Sequence, residues 1–259
     1  MMKVVILAGG LPSTVSEEDE KIPKPMAEIG GRPILWHIMK SFCHYGFRDF
    51  IICAGYKGAM IKQYFMDYYI YQSDITVDLQ KNEVEIHRRK TENWNVTIVD
   101  TGLNTGVMKR IELVKDYIDK EPFIVVYGDC VSDIDITELV ECHKSGGKLA
   151  TMAVAKPTGR NEIMSIDGRG LLSGDRAYAA ADAWVDACTY AFEPGVFEYL
   201  DDARASTGQG LFSVMAGHQQ ASTYKHPGFW SPMETKRDRS VLERMWNEGR
   251  ASWKVWQTD

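Results

Sequence analysis

Val4-Val5-Ile6-Leu7-Ala8-Gly9-Gly10, followed past a loop by Ile22-Pro23-Lys24-Pro25-Met26, decides the fold. A run of β-branched and aliphatic residues ending in paired glycines reads as a buried parallel strand that opens into a phosphate-cradling turn. Glycine at such a turn lets backbone amides approach a polyphosphate with no Cβ in the way. The glycines alone would also suit any tight strand-to-helix turn. Lys24, held between two prolines, adds a cation of fixed direction, and the combination predicts a nucleoside triphosphate site.

Composition narrows the class. The 259 residues are 44% hydrophobic and 25% charged, ordinary for a globular protein. No stretch approaches the roughly 20 apolar residues of a membrane span. The chain enters its first strand with no leader segment, so a cytoplasmic protein with no membrane partner is expected. A net charge of −6 argues against a nucleic-acid partner, which would want a basic face. The five cysteines form no Cys-x-x-Cys pair and read as buried reduced thiols. The six histidines show no metal-ligand spacing.

Apolar runs alternate with amphipathic segments. Val4–Ala8, Phe50–Ala54, Phe123–Tyr127 and Leu149–Ala155 read as buried strands. Ile34–Tyr45, Ala59–Tyr71 and Met108–Ile118 carry helical spacing, with Met108, Ile111, Tyr117 and Ile118 on one face. Thr76–Asp100 alternates like antiparallel strand material (Val84, Ile86; Val96, Ile98) with a turn near Lys81-Asn82. Short segments with Gly-Arg and Asp-Gly turns follow residue 156, and Ser240–Gly249 reads as a helix stopped by glycine. The expectation is an α/β protein: a Rossmann-like mixed, mostly parallel sheet flanked by helices, with a small C-terminal lobe. It is read as one domain over 1–259, with 1–155 as nucleotide-binding core and 156–259 as acceptor-binding and C-terminal portion.

Two further stretches could carry chemistry. Phe123-Ile124-Val125-Val126-Tyr127-Gly128-Asp129 delivers a carboxylate to the carboxyl end of a parallel sheet, where open α/β folds bind ligands. Such a carboxylate suits Mg²⁺ bridged to phosphate oxygens. The plainer role, capping the next helix, falls better to Asp133 and Asp135. Pro227-Gly228-Phe229-Trp230-Ser231-Pro232-Met233-Glu234-Thr235 brackets two aromatics with turn formers and ends near a carboxylate; packing and capping suit it equally.

Leu-Ala-Gly-Gly, Ile-Pro-Lys-Pro-Met, Glu28–Met39 and Gly55-Tyr56-Lys57-Gly58 together resemble the sugar-1-phosphate nucleotidylyltransferases. Tyr71–Asp74, Trp94–Thr97, Val99–Gly102, Tyr127–Asp129 and His226–Trp230 resemble the cytidylyl branch of that family. The resemblance implies the nucleotidyltransferase fold, Mg²⁺ as cofactor, a homo-oligomer and the reaction of CTP with glucose 1-phosphate to give CDP-glucose and pyrophosphate. Carried onto this sequence, it implies Lys24 as catalytic residue and Asp129 with Glu234 as metal ligands. It implies Leu7, Ala8, Gly9, Gly10, Leu11, Thr14, Thr101, Gly102, Arg110 and Gly128 around the nucleotide. The loop after Asp100, expected at the carboxyl edge of the sheet, places the base near Thr101-Gly102. Arg160, Arg176 and Asp186 then face the phosphorylated acceptor.

The chain departs from the family at several of these places. The loop usually continues Gly-Gly-x-Gly-Thr-Arg, where this chain has Pro12 and Thr14, and the Thr105–Arg110 segment lacks one arginine. Gly174-Asp175-Arg176-Ala177 stands nearest to the usual Glu-Lys-Pro, Asp186-Ala187-Cys188 replaces Asn-Gly-Gly, and Glu234 replaces an Asp. Two other readings stay open: cytidylyl transfer to a different phosphorylated or phosphonate acceptor, and a non-catalytic nucleotide-binding paralogue.

Overall fold

The N-terminal aliphatic run forms β1 (Lys3–Ala8), and strands and helices alternate after it. The computed structural model describes residues 2–10, 22–87, 91–157, 164–166, 172–176, 183–200 and 203–257, with backbone only for 164–166, 172–176 and 203–204. In chain order there follow β2 (Glu28–Ile29), β3 (Arg32–Pro33), α1 (Ile34–His44), β4 (Asp49–Ala54), α2 (Gly58–Tyr71), β5 (Asp74–Asp78) and β6 (Glu83–His87). Then come β7 (Asn95–Asp100), α3 (Val107–Leu113), α4 (Lys115–Ile118), β8 (Phe123–Tyr127), β9 (Cys130–Ser132), α5 (Ile136–Gly146) and β10 (Ala150–Ala155). The chain ends with β11 (Met164–Ile166), β12 (Leu172–Arg176), β13 (Val185–Phe192), α6 (Gly208–Gly217), β14 (Ala221–His226), β15 (Trp230–Pro232) and α7 (Lys236–Asn247).

A seven-stranded sheet in the order β14-β10-β13-β8-β1-β4-β7 carries the fold, and within it only β13 runs against the others. β1 lies between β8 and β4 with both faces covered, which is why its core reads as an unbroken aliphatic run. Strand period two divides it: Val4, Ile6 and Ala8 join one core with α1 and α5, while Val5 and Leu7 join another with α3 and α6. β13 and β14 belong to this sheet, so these two strands from beyond residue 156 complete it rather than joining a separate C-terminal lobe, while β11 and β12 pair only with each other. Among the described residues no helix is long and apolar enough to cross a membrane.

Three expectations change. Met108–Ile118 is two helices broken at Val114; there Val114 N–H bonds to Ile111 O and Tyr117 N–H to Val114 O, a tighter winding. The tightened turn takes Tyr117 off the buried face, leaving it 46% exposed beside buried Met108, Ile111 and Ile118. β5 and β6 form the expected hairpin, with Asn82 at φ 56, but β7 pairs in parallel with β4. Its half-exposed position at the sheet edge produces the alternation that imitates a hairpin strand. The last helix starts at Lys236, not Ser240, because Thr235 and Asp238 form a reciprocal capping box. Of the cysteines, all free, Cys53 and Cys130 are buried, whereas Cys43, Cys142 and Cys188 are half-buried.

The carboxyl ends of β1, β4 and β7 are tied by one side chain. Arg110, 4% exposed, donates from Nη1 to Thr101 Oγ1 (2.6 Å), Gly102 O (2.8 Å) and Ala54 O (3.4 Å). Its Nη2 donates to Gly9 O and to Leu103 O (3.2 Å). A Cβ on Gly9 would lie 2.1 Å from Nη1, and one on Gly55 would lie 2.6 Å from Gly9 O, so both positions require glycine.

Removing the guanidinium strands buried carbonyls, at about 1–3 kcal/mol for each one left without a donor. Arg110→Met is therefore expected to lower unfolding free energy by about 3 kcal/mol or more, read as a reduced urea midpoint. Gly9→Ala is expected to fail similarly, through the clash with Arg110.

Candidate active site

A cleft of about 430 Å³ opens at the carboxyl edge of the sheet, between the Ala8–Gly10 turn, the Leu103–Val107 segment and the end of β8. Sheets of this kind bind ligands at that edge because adjacent loops diverge there. Lys24 enters the cleft from a short 3₁₀ turn, Lys24–Met26, closed by Met26 N–H to Pro23 O and Ala27 N–H to Lys24 O. The turn is fixed from behind by the β2–β3 hairpin. Gly30 N–H donates to Glu243 Oε2 on α7 (2.8 Å), and Arg239 Nε donates to Glu28 O (3.1 Å). His37 Nε2 contacts Ile29 O at 2.8 Å; burial pushes its pKa down to about 4, so the ring stays neutral in this aromatic core.

Asp129 follows β8 after Gly128, whose N–H bonds to Leu7 O at 3.0 Å. A Cβ on Gly128 would sit 3.0 Å from Leu7 O and 3.2 Å from Pro25, so only glycine packs there without displacing a neighbour. Lys24 Nζ then meets Asp129 Oδ2 at 2.8 Å, bridging 105 residues of sequence. Burial works against the ammonium, but Asp129, Cys130 and Glu234 outweigh it and raise the Lys24 pKa. The lysine is a cation throughout the neutral range.

Glu234 is brought to the same corner by β15, which pairs antiparallel with β9 in the register Pro232↔Cys130. Met233 N–H extends that ladder to Asp129 O at 2.8 Å, so the two carboxylates follow directly from one ribbon. The turn before β15 is anchored by Asp133, which accepts from Phe229 N–H (2.6 Å) and contacts His226 Nε2 (2.8 Å). Of the two expected helix caps only Asp135 caps α5; Asp133 holds this turn instead. Among the described residues no group of three or more His, Cys, Asp or Glu could hold a metal. Two carboxylates are nonetheless the usual protein share for Mg²⁺, with phosphates and waters completing its shell. Cys130 and Cys188 lie against each other beside them, and both thiol pKa values are raised, which leaves the donor set hard and oxygen-rich.

The structure gathers Leu7, Ala8, Gly9, Gly10, Lys24, Arg110 and Asp129 around the cleft, with Gly128 directly behind. Arg110 reaches it as a held cation with its donors on carbonyls, not as a free arm. Thr101 sits behind Arg110, 3% exposed and donating to Ala54 O, while Gly102 is exposed and gives its carbonyl to Arg110; the residues lining the cleft on this side are Leu103–Val107. Sequence reading stopped one residue short of that wall, although Gly106 ahead of a helical run marked it. Tyr127 and Pro25 also line the cleft and were missed.

Leu11, Thr14 and Arg160 lie outside the described residues, as do Pro12 and the Arg176 side chain. Asp186 turns inward, accepting from Tyr190 Oη (2.6 Å) and Cys188 N–H (2.7 Å), where Cys188 holds φ 58. Tyr190 in turn packs edge-on against Tyr127, with ring centroids 6.1 Å apart.

Burial pushes the Asp186 carboxyl up to about 6, from an unfolded value near 3.8. Between those values the folded state binds the extra proton, so stability falls as pH rises from about 4 to about 6 and the cost persists above. Asp186→Asn is expected to gain about 2 kcal/mol over the parent at pH 8 relative to pH 4, by urea unfolding at both values.

The nucleotidyl transferase family profile matches residues 3–165. The glucose-1-phosphate cytidylyltransferase of Salmonella typhi is 41% identical over 257 residues, covering 99% of this chain and all of that one. In fold, the chain superposes on HddC from Yersinia pseudotuberculosis complexed with GMP-PN with a TM-score of 0.69, at 20% identity and over 95% of this chain and 100% of that one. A UDP-glucose pyrophosphorylase from Acinetobacter baumanii gives 0.74, at 13% identity and over 94% and 92% of the two chains. Sequence kinship along the whole length, joined to a glycine turn, a lysine and a carboxylate at one sheet edge, leaves one conclusion: the chain belongs to the sugar-1-phosphate nucleotidylyltransferase family.

Proposed function

We propose that this protein is a cytoplasmic, homo-oligomeric enzyme that transfers a cytidylyl group from CTP to glucose 1-phosphate, releasing pyrophosphate and CDP-glucose. The observation that carries the reading is end-to-end kinship with a glucose-1-phosphate cytidylyltransferase. The geometry supports it, because Lys24 and Asp129 meet at the mouth of the glycine turn.

In this reading the triphosphate lies over Ala8–Gly10, and the nucleoside rests toward Leu103–Val107. A phosphate oxygen of the sugar phosphate attacks the α-phosphorus in line, and the bond to the bridging oxygen of the β-phosphate breaks. The nucleophile is already an anion, so no general base is required. Lys24, a partly exposed side chain with its pKa raised, turns its Nζ to the phosphate oxygens and stabilises charge on the leaving pyrophosphate. Asp129 and Glu234 would hold Mg²⁺, which supplies charge neutralisation across the phosphates when bound. Arg110 keeps the glycine turn in shape beneath them. Asp186, bonded inward to Tyr190 and Cys188, shapes the wall behind Tyr127 rather than presenting a free carboxylate to an acceptor. That inward turn is what favours testing other phosphorylated or phosphonate acceptors beside glucose 1-phosphate.

Pyrophosphate release measured with CTP, UTP, ATP and GTP across such an acceptor panel tests the assignment. CTP with glucose 1-phosphate is expected to give the highest kcat/KM; a purine triphosphate preferred over CTP overturns the cytidylyl reading. A different preferred acceptor overturns only the sugar assignment. No turnover with any pair would favour a non-catalytic paralogue.

Lys24→Ala is expected to lower kcat by about 10²–10³-fold while changing CTP affinity far less, because its charge matters most as pyrophosphate forms. Steady-state kinetics beside calorimetric CTP titration separate the two effects. Asp129→Asn is expected to abolish turnover at saturating Mg²⁺, whereas Glu234→Asp, one methylene shorter on an exposed arm, is expected to remain active.

A further inference from the structure

All five cysteines are free, and two of them meet beside the carboxylates of the cleft. Cys130 begins β9 directly after Asp129, is 6% exposed, and donates from Sγ to Asp129 Oδ1 at 3.5 Å. Cys188 of β13 is half-buried, with its thiol against that of Cys130 and near enough to feel the charges of Asp129 and Glu234. The backbone explains the meeting. Thr189 lies opposite Val126 of β8, and Val126, Thr189 and Cys130 line one small cavity facing α1. Between Tyr190 and Asp186 the register of β13 on β10 shifts, a bulge with Cys188 at its centre and at φ 58. Bulges next to active sites re-aim side chains, and a positive φ is costly for a residue with a Cβ. Cys188 also stands where the family carries glycine, so this backbone bears a thiol against its own preference. Cys53 and Cys142, by contrast, donate to the carbonyls of Arg110 and Thr223 at 3.7 and 3.9 Å.

We propose that Cys130 and Cys188 are a reversible oxidation site, closed to a disulfide by a low-molecular-weight disulfide, and that closure displaces Asp129 and lowers turnover. Cys188, the more exposed thiol, gives up its proton and attacks one sulfur of the oxidant, breaking its S–S bond and releasing one thiol. Cys130 then attacks the Cys188 sulfur of the mixed disulfide, and the second thiol leaves with the second proton. The two cysteines lose two electrons, and the oxidant gains them as two thiols. Contact between the two side chains makes the second attack intramolecular, which favours closure over rescue by a thiol from solution. The sulfurs must still close by roughly 1.5 Å to bond. Cys130 is the chain neighbour of Asp129, and Met233 N–H holds Asp129 O at 2.8 Å, so the ribbon that carries Glu234 moves with it. In a reducing compartment the pair stays open, and it closes as the surrounding thiol pool oxidises. The effect on turnover rests on the transferase reading above; the disulfide itself does not.

Equilibration of the full chain with mixtures of reduced and oxidised glutathione tests the site. Oxidation is expected to leave three of the five thiols free in denaturant, with peptide mapping finding Cys130 joined to Cys188. The kcat for pyrophosphate release is expected to fall at least tenfold and to return with dithiothreitol. Cys188→Gly, which suits φ 58, is expected to match the reduced parent and to keep its activity under oxidation. If that variant fails to melt cooperatively, Cys188→Ser replaces it. The double variant Cys43→Ser, Cys142→Ser is expected to stay as sensitive as the parent. Five free thiols after oxidation, or glutathione held on Cys188 with Cys130 still free, overturns the pair. A Cys130–Cys188 disulfide with unchanged kcat overturns its coupling to the cleft. A reduced parent with no turnover on any substrate pair overturns the transferase reading instead. Thiol counts and mapping then still decide the disulfide, and calorimetric CTP titration in Mg²⁺ decides its effect on the cleft.

Discussion

One buried guanidinium holds the site in shape. Arg110 reaches back from α3 and gathers carbonyls from the ends of three parallel strands, Gly9, Ala54 and Gly102 among them. Here three of those carbonyls converge on one point, and buried acceptors left without a donor are costly. A cation with several donors in one plane answers all of them at once, which an ammonium could not do in that geometry. Gly9 and Gly55 are glycine because the guanidinium and the crossing carbonyls leave no room for a Cβ. The glycine turn is therefore as much a product of Arg110 as of its own glycines.

The Lys24–Asp129 pair depends on a second set of supports. Lys24 stands on a turn fixed by the β2–β3 hairpin, and that hairpin is held by Glu243 and Arg239 of α7. Trp246 of the same helix packs where a Cβ on Gly30 would fall. The C-terminal helix thus sets the position of a lysine more than two hundred residues earlier. Asp129 is set by the core sheet, through the short approach of Gly128 to Leu7, and Glu234 by the β9–β15 ribbon. The ribbon also holds Asp129, through Met233 N–H to Asp129 O, so a shift in any of these supports moves the charges gathered at this corner.

Much of this was legible in the residues. Buried parallel strands write continuous apolar runs, and β1, β4, β8 and β10 were found this way within a residue at either end. Lys24 and Asp129 were legible for the same reason, each fixed by immediate neighbours that restrict its backbone. β7 was misread because an edge strand, covered on one side only, alternates like a hairpin strand. Tyr117 was misplaced because a turn tighter than an α-helix changes which residues share a face, and nothing at Val114 announces that. Asp133 looked like a cap, yet its partners Phe229 and His226 lie more than ninety residues away.

The sequence by itself determined the class of the sheet, the glycine turn, the lysine and the first carboxylate, since each follows from local period and backbone restriction. Only the tertiary structure decided that Lys24 pairs with Asp129, that Arg110 binds carbonyls beneath the turn, that Leu103–Val107 forms the cleft wall and that Asp186 faces inward. The division has a physical cause. Local pattern specifies which side of an element avoids water, whereas the partner of a buried charge is chosen by whichever distant group can satisfy it once the chain has closed.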